Sequence, residues 1–180
     1  MMHYSIHRSN NSFNLKNKQG EFQVCLKEQS CTLYEKGNYL VKMTCSADKA
    51  RIMSPDYNIT MTGLSGNLIQ INPHKWLLST SVPNSNRWIS YELTRSRRGW
   101  SVHALDRRYT IKSSHPLESF QDCPLVAHLC GDDLMIHDGL HFNIRLLLCL
   151  SLCKIISLSP AHSPLVRLKS LFKWPSALTV

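Results

Sequence analysis

Hydrophobic and polar residues alternate along much of the chain with a period of two. The alternation is visible in EFQVCLK (21–27), NYLVKMTC (38–45), YNITMT (57–62) and WISYELT (88–94). Because successive side chains of a β-strand point to opposite faces, this pattern is typical of strands with one buried and one solvated face. It predicts eight or nine short strands between Glu21 and Ser113.

Turn-forming segments separate these strands. EKGN (35–38) and PNSN (83–86) each precede a strand, whereas GLSG (63–66) and RRG (97–99) each link two strands as a hairpin. Short strands at this spacing are typical of antiparallel sandwiches and barrels. The fold is therefore expected to be mainly β: a sandwich-like or barrel-like domain with a basic, apolar C-terminal extension that is compatible with a helix.

Composition divides the chain into four segments. Residues 1–20 are polar and are expected to be flexible, 21–115 to form the β-rich domain, and 116–141 to form a connector containing His and Cys. Residues 142–180 are expected to be a basic tail rich in Leu and Ser. Because residues 139–180 contain no Asp or Glu and the alternation has ended, we expect the β domain to fold without them.

The net charge indicates the class of partner, and the cysteine content indicates the cellular compartment. The formal net charge is +9, and a basic excess favours anionic partners such as nucleic acid, acidic proteins or lipid headgroups. Seven cysteines, an odd number, fit poorly with a complete set of disulfides. The first 20 residues contain no apolar stretch of the kind a secretory signal needs. These features predict reduced thiols in a cytoplasmic or nuclear protein.

Arginines concentrate in RSRRGWSVHALDRRY (95–109), the second predicted hairpin. The candidate polyanion-binding residues are Arg95, Arg97, Arg98, Arg107 and Arg108. A guanidinium offers a planar set of donors with a permanent charge, and nucleic-acid-binding proteins combine such groups with stacking aromatics. The alternative interpretation is a turn kept soluble by arginine, in which Trp100 belongs to the core.

Cysteine and histidine are enriched in CPLVAHLCGDDLMIHDGLH (123–141). The metal-ligand types present are Cys123, Cys130, His137 and His141, and the two histidines would share one face of a helix. Six residues lie between the two cysteines, whereas zinc motifs have two to four residues between them. No bound zinc and no cofactor are therefore expected.

The segment RLLLCLSLCKIISL (145–158) is apolar but contains Arg145 and Lys154. It is shorter than the ~20 residues that a spanning helix needs. It is predicted to pack as a helix on the β domain or on a partner, or to lie at a membrane surface.

These observations predict a non-catalytic β-rich protein-interaction module, and they are compatible with a fragment or isoform of a larger protein. The chain contains no G-x-S-x-G elbow, no G-x-x-x-x-G-K loop and no G-x-G-x-x-G loop. The first alternative is nucleic-acid binding through the arginine hairpin, and the second is membrane association through residues 145–158.

Overall fold

Twelve antiparallel strands form a closed barrel around one helix. The computed structural model describes residues 1–45, 56–81, 87–105 and 125–158. The strands are β1 (Met2–Ser9), β2 (Ser12–Lys16), β3 (Glu21–Leu26), β4 (Ser30–Glu35), β5 (Asn38–Cys45), β6 (Asp56–Met61), β7 (Leu64–Asn72), β8 (Lys75–Ser81), β9 (Trp88–Ser96), β10 (Gly99–Leu105), β11 (Leu125–Cys130) and β12 (Asp133–Ile136). Helix α1 spans Phe142–Leu158.

Each strand pairs with the next along the chain, and β12 returns to pair with β1. In this last pairing Met2 lies opposite Ile136 and Ser5 lies opposite Asp133. Closure leaves no unpaired strand edge in the sheet. The prediction of a mainly antiparallel β fold of barrel type with a helical extension is confirmed.

The alternating pattern places one set of side chains inside the barrel. In β3, Phe22 and Val24 are buried, whereas Glu21 and Gln23 are exposed. Eight strands, β3 to β10, lie between Glu21 and Leu105 in the part of the chain that the structure describes, as the alternation predicted. The lumen of the barrel is therefore the hydrophobic core.

Helix α1 fills this lumen. Ten consecutive residues, Leu146 to Ile155, are all buried, so every face of the helix is covered. A helix that is apolar on all sides needs such an enclosed environment, and here it packs against β3, β4 and β5. The helix starts at the end of the barrel where β1 begins, which we call the Met2 end. It finishes at the opposite end, beside Arg95, which we call the Arg95 end.

The expectation that residues 1–20 form a flexible segment is wrong. Strands β1 and β2 occupy most of it, and Tyr4, Ile6, Phe13 and Leu15 are buried in the core. Polar residues dominate the composition because the outer face of the barrel wall is solvated. Because the strands are short and most of their residues are polar, the regular alternation of buried and exposed positions is difficult to recognise in the sequence.

The division into a connector and a tail separate from the β domain is also wrong for the described residues. Residues 125–136 form β11 and β12, which close the barrel, and residues 142–158 form the helix in its lumen. The composition changes near residue 139 because the central part of the helix, Leu146 to Ile155, is enclosed by the barrel and needs no charged face. Residues 116–124 and 159–180 lie outside the described part of the chain.

Candidate anion-binding site

The arginine turn lies where β9 and β10 meet at the Arg95 end. Strand β9 ends at Ser96 and β10 begins at Gly99, so Arg97 and Arg98 form the turn predicted from the sequence. Gly99 has a φ of 150°, and a Cβ on it would lie 1.8 Å from the carbonyl oxygen of Leu129. Strand β11 therefore approaches the turn so closely that only glycine fits there.

Arg95, Arg97 and Arg98 are all exposed, and we call these three residues the arginine rim. Arg95 continues the inward phase of Tyr91 and Leu93 and lies opposite Trp100 in the strand pairing. It is exposed because it lies at the rim of the barrel. Its backbone N–H donates to the carbonyl oxygen of His74 at 2.8 Å, which joins the arginine turn to the turn between β7 and β8.

A pocket of about 190 Å³ opens between these two turns. Gln70, His74 and Arg95 supply its polar side chains. Its apolar wall comes from Pro73, Trp76, Trp100 and the end of helix α1, through Ile155 and Leu158. This volume is below the ~300–1,000 Å³ of pockets that take drug-sized ligands. It suits a small group, and the donors at its mouth suit an anionic one.

The charges beside the arginine rim are partly compensated. The carboxylate of Glu92 is bound by the ammonium of Lys75 at 3.1 Å, so it does not face the arginines unpaired. On the other side, Asp132 and Asp133 are exposed near the next turn, between β11 and β12. The cationic surface therefore runs from the arginine turn toward His74 and is bounded by carboxylates at β12.

Trp100 is buried, with 5% of its surface exposed, and Val102 is fully buried. The core interpretation of Trp100 is therefore confirmed, and this residue offers no face on which a base stacks. Arg107 and Arg108, the other two candidate arginines, lie outside the described residues.

Three of the four candidate metal ligands, Cys130, His137 and His141, lie in the part of the chain that the structure describes, and no group of three or more metal-ligating residues forms there. Cys130 ends β11 at the Arg95 end, whereas His137 follows β12 at the Met2 end and pairs through its backbone with Val126. Along β11, Val126 and Cys130 are four residue steps apart, about 13 Å at the ordinary rise of a strand. His137 and His141 both precede helix α1, so the expectation that they would share one face of a helix is wrong. Cys123 lies outside the described residues.

Residues 145–158 are not available as a membrane-facing surface in this fold, because most of them are enclosed by the barrel. Lys154, within this segment, is only 3% exposed. Among the described residues, no helix combines the length and the apolar character needed to cross a bilayer.

Sequence reasoning missed two groups of polar residues. Gln70 and His74 reach the pocket only because β7 and β8 lie beside β9, which the pairing of strands decides. Met2, Tyr4, Asn17 and Arg145 meet at the Met2 end through contacts between β1, the β2–β3 turn and α1. For the second group the sequence did contain a signal: Tyr4 and Ile6 alternate with polar residues, as the inward-facing residues of a strand do.

Comparisons with protein-family models, with curated protein sequences and with solved structures found no match.

Proposed function

We propose that the protein is a non-catalytic binding module that engages the phosphates of a nucleic acid at the arginine rim. The observation that carries the proposal is the position of Arg95, at the mouth of a pocket and next to the turn of Arg97 and Arg98. Three guanidiniums on one rigid barrel end can contact neighbouring phosphates without rearrangement.

Recognition by this surface is electrostatic and largely independent of sequence. The described residues at the rim offer charges and hydrogen-bond donors, while Trp76 and Trp100 are buried and do not stack on bases. Phosphate contacts of this kind release counterions, so the binding constant falls steeply as salt rises. Binding through an apolar protein interface changes little with salt. The salt dependence of binding therefore distinguishes this proposal from the alternative, a protein-interaction module.

The test is a titration of a short duplex RNA or DNA at several salt concentrations, followed by fluorescence anisotropy. Replacing Arg97 and Arg98 together by Ala should weaken binding and reduce the salt slope by about one to two, since each duplex phosphate contact contributes roughly 0.9. The free energy of unfolding should change by no more than about 0.5 kcal/mol, because both side chains are exposed.

The matched control removes two charges from the other end of the barrel. Lys16 and Lys18 are exposed at the Met2 end, and replacing both by Ala lowers the net charge equally. If this control weakens duplex binding as much as the arginine variant does, the arginine rim is not the site. Absence of salt-sensitive binding by the unmodified protein would exclude the proposed function.

A further inference from the structure

Three hydrogen-bond donors converge on the thioether sulfur of Met2, inside the Met2 end of the barrel. The Tyr4 hydroxyl lies 3.1 Å from Sδ, Nη1 of Arg145 lies 3.2 Å from it, and Nδ2 of Asn17 lies 3.3 Å from it. A thioether sulfur is only a weak acceptor. The cluster therefore offers more donor capacity than its central atom can use.

The same cluster contains a buried donor without any acceptor. Nε of Arg145 is inaccessible to solvent and has no hydrogen-bond partner. A buried unpartnered donor is costly, and more so on a charged group. The nearby carboxylate of Asp138 bonds to the amino group of Met1 at 2.7 Å. The cluster thus lacks one good acceptor oxygen.

The donors are fixed in position before any acceptor arrives. The side-chain oxygen of Asn17 accepts from the backbone N–H groups of Gln19 and Gly20, each at 2.8 Å, which orients its amide nitrogen toward Met2. The guanidinium of Arg145 lies over the ring of Phe142 at 5.7 Å. Burial raises the pKa of Tyr4 to about 12, so its hydroxyl keeps its proton at physiological pH.

We propose that Met2 is a site of oxidation by hydrogen peroxide and that Tyr4, Asn17 and Arg145 bind the resulting sulfoxide oxygen. A lone pair of Sδ attacks one peroxide oxygen, the S–O bond forms and the O–O bond breaks. The sulfur is oxidised, the peroxide oxygens are reduced, and the departing hydroxide takes the remaining peroxide proton and leaves as water. Met2 is half-buried at the end of the barrel, and the oxidation requires that peroxide reach Sδ there.

The product suits this site better than the reduced side chain does. Oxidation normally disrupts a core, because it turns an apolar side chain into a polar one. Here the new oxygen meets three donors that previously shared a sulfur. Oxidised Met2 therefore holds β1 to helix α1 more firmly. The site lies at the opposite end of the barrel from the arginine rim, so the inference does not depend on the proposed function.

The experiment treats the full-length protein with graded hydrogen peroxide and maps methionine sulfoxide by tandem mass spectrometry. Met2 should be converted, while Met43, which is fully buried, stays reduced. The thermal midpoint of the oxidised protein should equal or exceed that of the reduced protein, by up to about 2–4 °C. Met2→Gln, whose amide oxygen mimics the sulfoxide, should melt above Met2→Leu.

A double variant, Tyr4→Phe with Asn17→Asp, removes two donors while keeping the Tyr4 ring and the Asn17 oxygen that orders the turn. In this variant, oxidation of Met2 should lower the thermal midpoint. Two results would overturn the proposal: Met2 staying reduced while exposed Met1 is fully converted, or oxidation lowering the midpoint of the unmodified protein as much as that of the variant. Should the double variant fail to fold, the order of the Met2→Gln and Met2→Leu midpoints decides.

Discussion

The ammonium of Lys154 lies over the ring of Tyr57, 5.3 Å from the ring centroid and inside the barrel. Lys154 is buried, and no carboxylate among the described residues lies within ion-pair distance of it. A cation–π contact in a desolvated site contributes about 2 kcal/mol, whereas burying a charge costs several. Within the described part of the chain, the contacts of the helix therefore compensate this charge only in part.

Replacing Lys154 with Met should stabilise the protein. The substitution keeps a long unbranched side chain and removes the cost of burying the charge, for which a gain of roughly 1–4 kcal/mol is expected by analogy with buried ion pairs. Urea unfolding followed by circular dichroism measures this change. A clear loss of stability would mean that the ammonium has a stronger partner than the Tyr57 ring.

Replacing Gly99 with Ala should destabilise the barrel by about 3 kcal/mol or more, because the new Cβ meets the backbone of Leu129 and the local φ is unsuited to an L-residue. Gly37→Ala is the matched control. Gly37 also has a positive φ, of 81°, but nothing lies within 4 Å of a Cβ placed there. It should lose only about 1–2 kcal/mol. If the two variants lose the same free energy of unfolding in urea, β11 shifts to accommodate the Cβ added at Gly99.

Stability should fall as the pH rises above about 8.5, where thiols of the unfolded chain begin to ionise. Burial raises the pKa of Cys31 and of Cys149 to about 12 and also raises that of Cys153. Burial is likewise the main cause that raises the pKa values of Tyr57 and Tyr91 to about 12.

In this range the folded state keeps protons that the unfolded state loses, so the free energy of unfolding decreases with pH. The stabilisation is complete below the unfolded pKa values and is lost as the pH rises through about 12. Urea unfolding at stepped pH measures the slope, and tyrosinate absorbance follows the tyrosines. Constant stability up to about pH 11 would contradict the burial of these groups.

A chain that ends at residue 141 lacks helix α1 and should not fold cooperatively. It loses the 11 buried residues that the helix contributes to the lumen, and an empty lumen of this size has no alternative packing. Circular dichroism on heating measures the loss, and a peptide of residues 142–158 supplied in trans should restore the transition. A cooperative β-type melt without the peptide would show that the barrel stands without its helix.

The sequence pattern predicted the strands better than their arrangement. Alternation in β3, β5, β6 and β9 is a local property, because each residue's exposure depends on the face of its own strand. Closure is not local: Met2 pairs with Ile136, and neither residue carries a signal for the other. The low polarity of 146–153 was visible, but the same pattern suits a membrane surface, a partner or a lumen. Only the closed sheet decides among these.

The candidate site shows the same limit. Turn-forming residues in the sequence predicted the turn at Arg97 and Arg98. The alternation of buried and exposed positions along the strand predicted the burial of Trp100. Their neighbours in the pocket come from a different hairpin and from the end of α1, so the position of Gln70 and His74 depends on strand order. The cluster at Met2 combines residues from near both ends of the described chain, which a scan of local motifs does not bring together.

The seam between the first and last strands also sets an order of events during synthesis. Strand β1 emerges from the ribosome long before β12, its partner, and the helix that fills the lumen follows later still. Until then the growing sheet has two open edges, and its apolar inner face is uncovered. Such edges pair readily with other chains. A nascent chain of this fold is therefore expected to expose these edges until helix α1 has been made, and products of translation that stop before it are expected to aggregate.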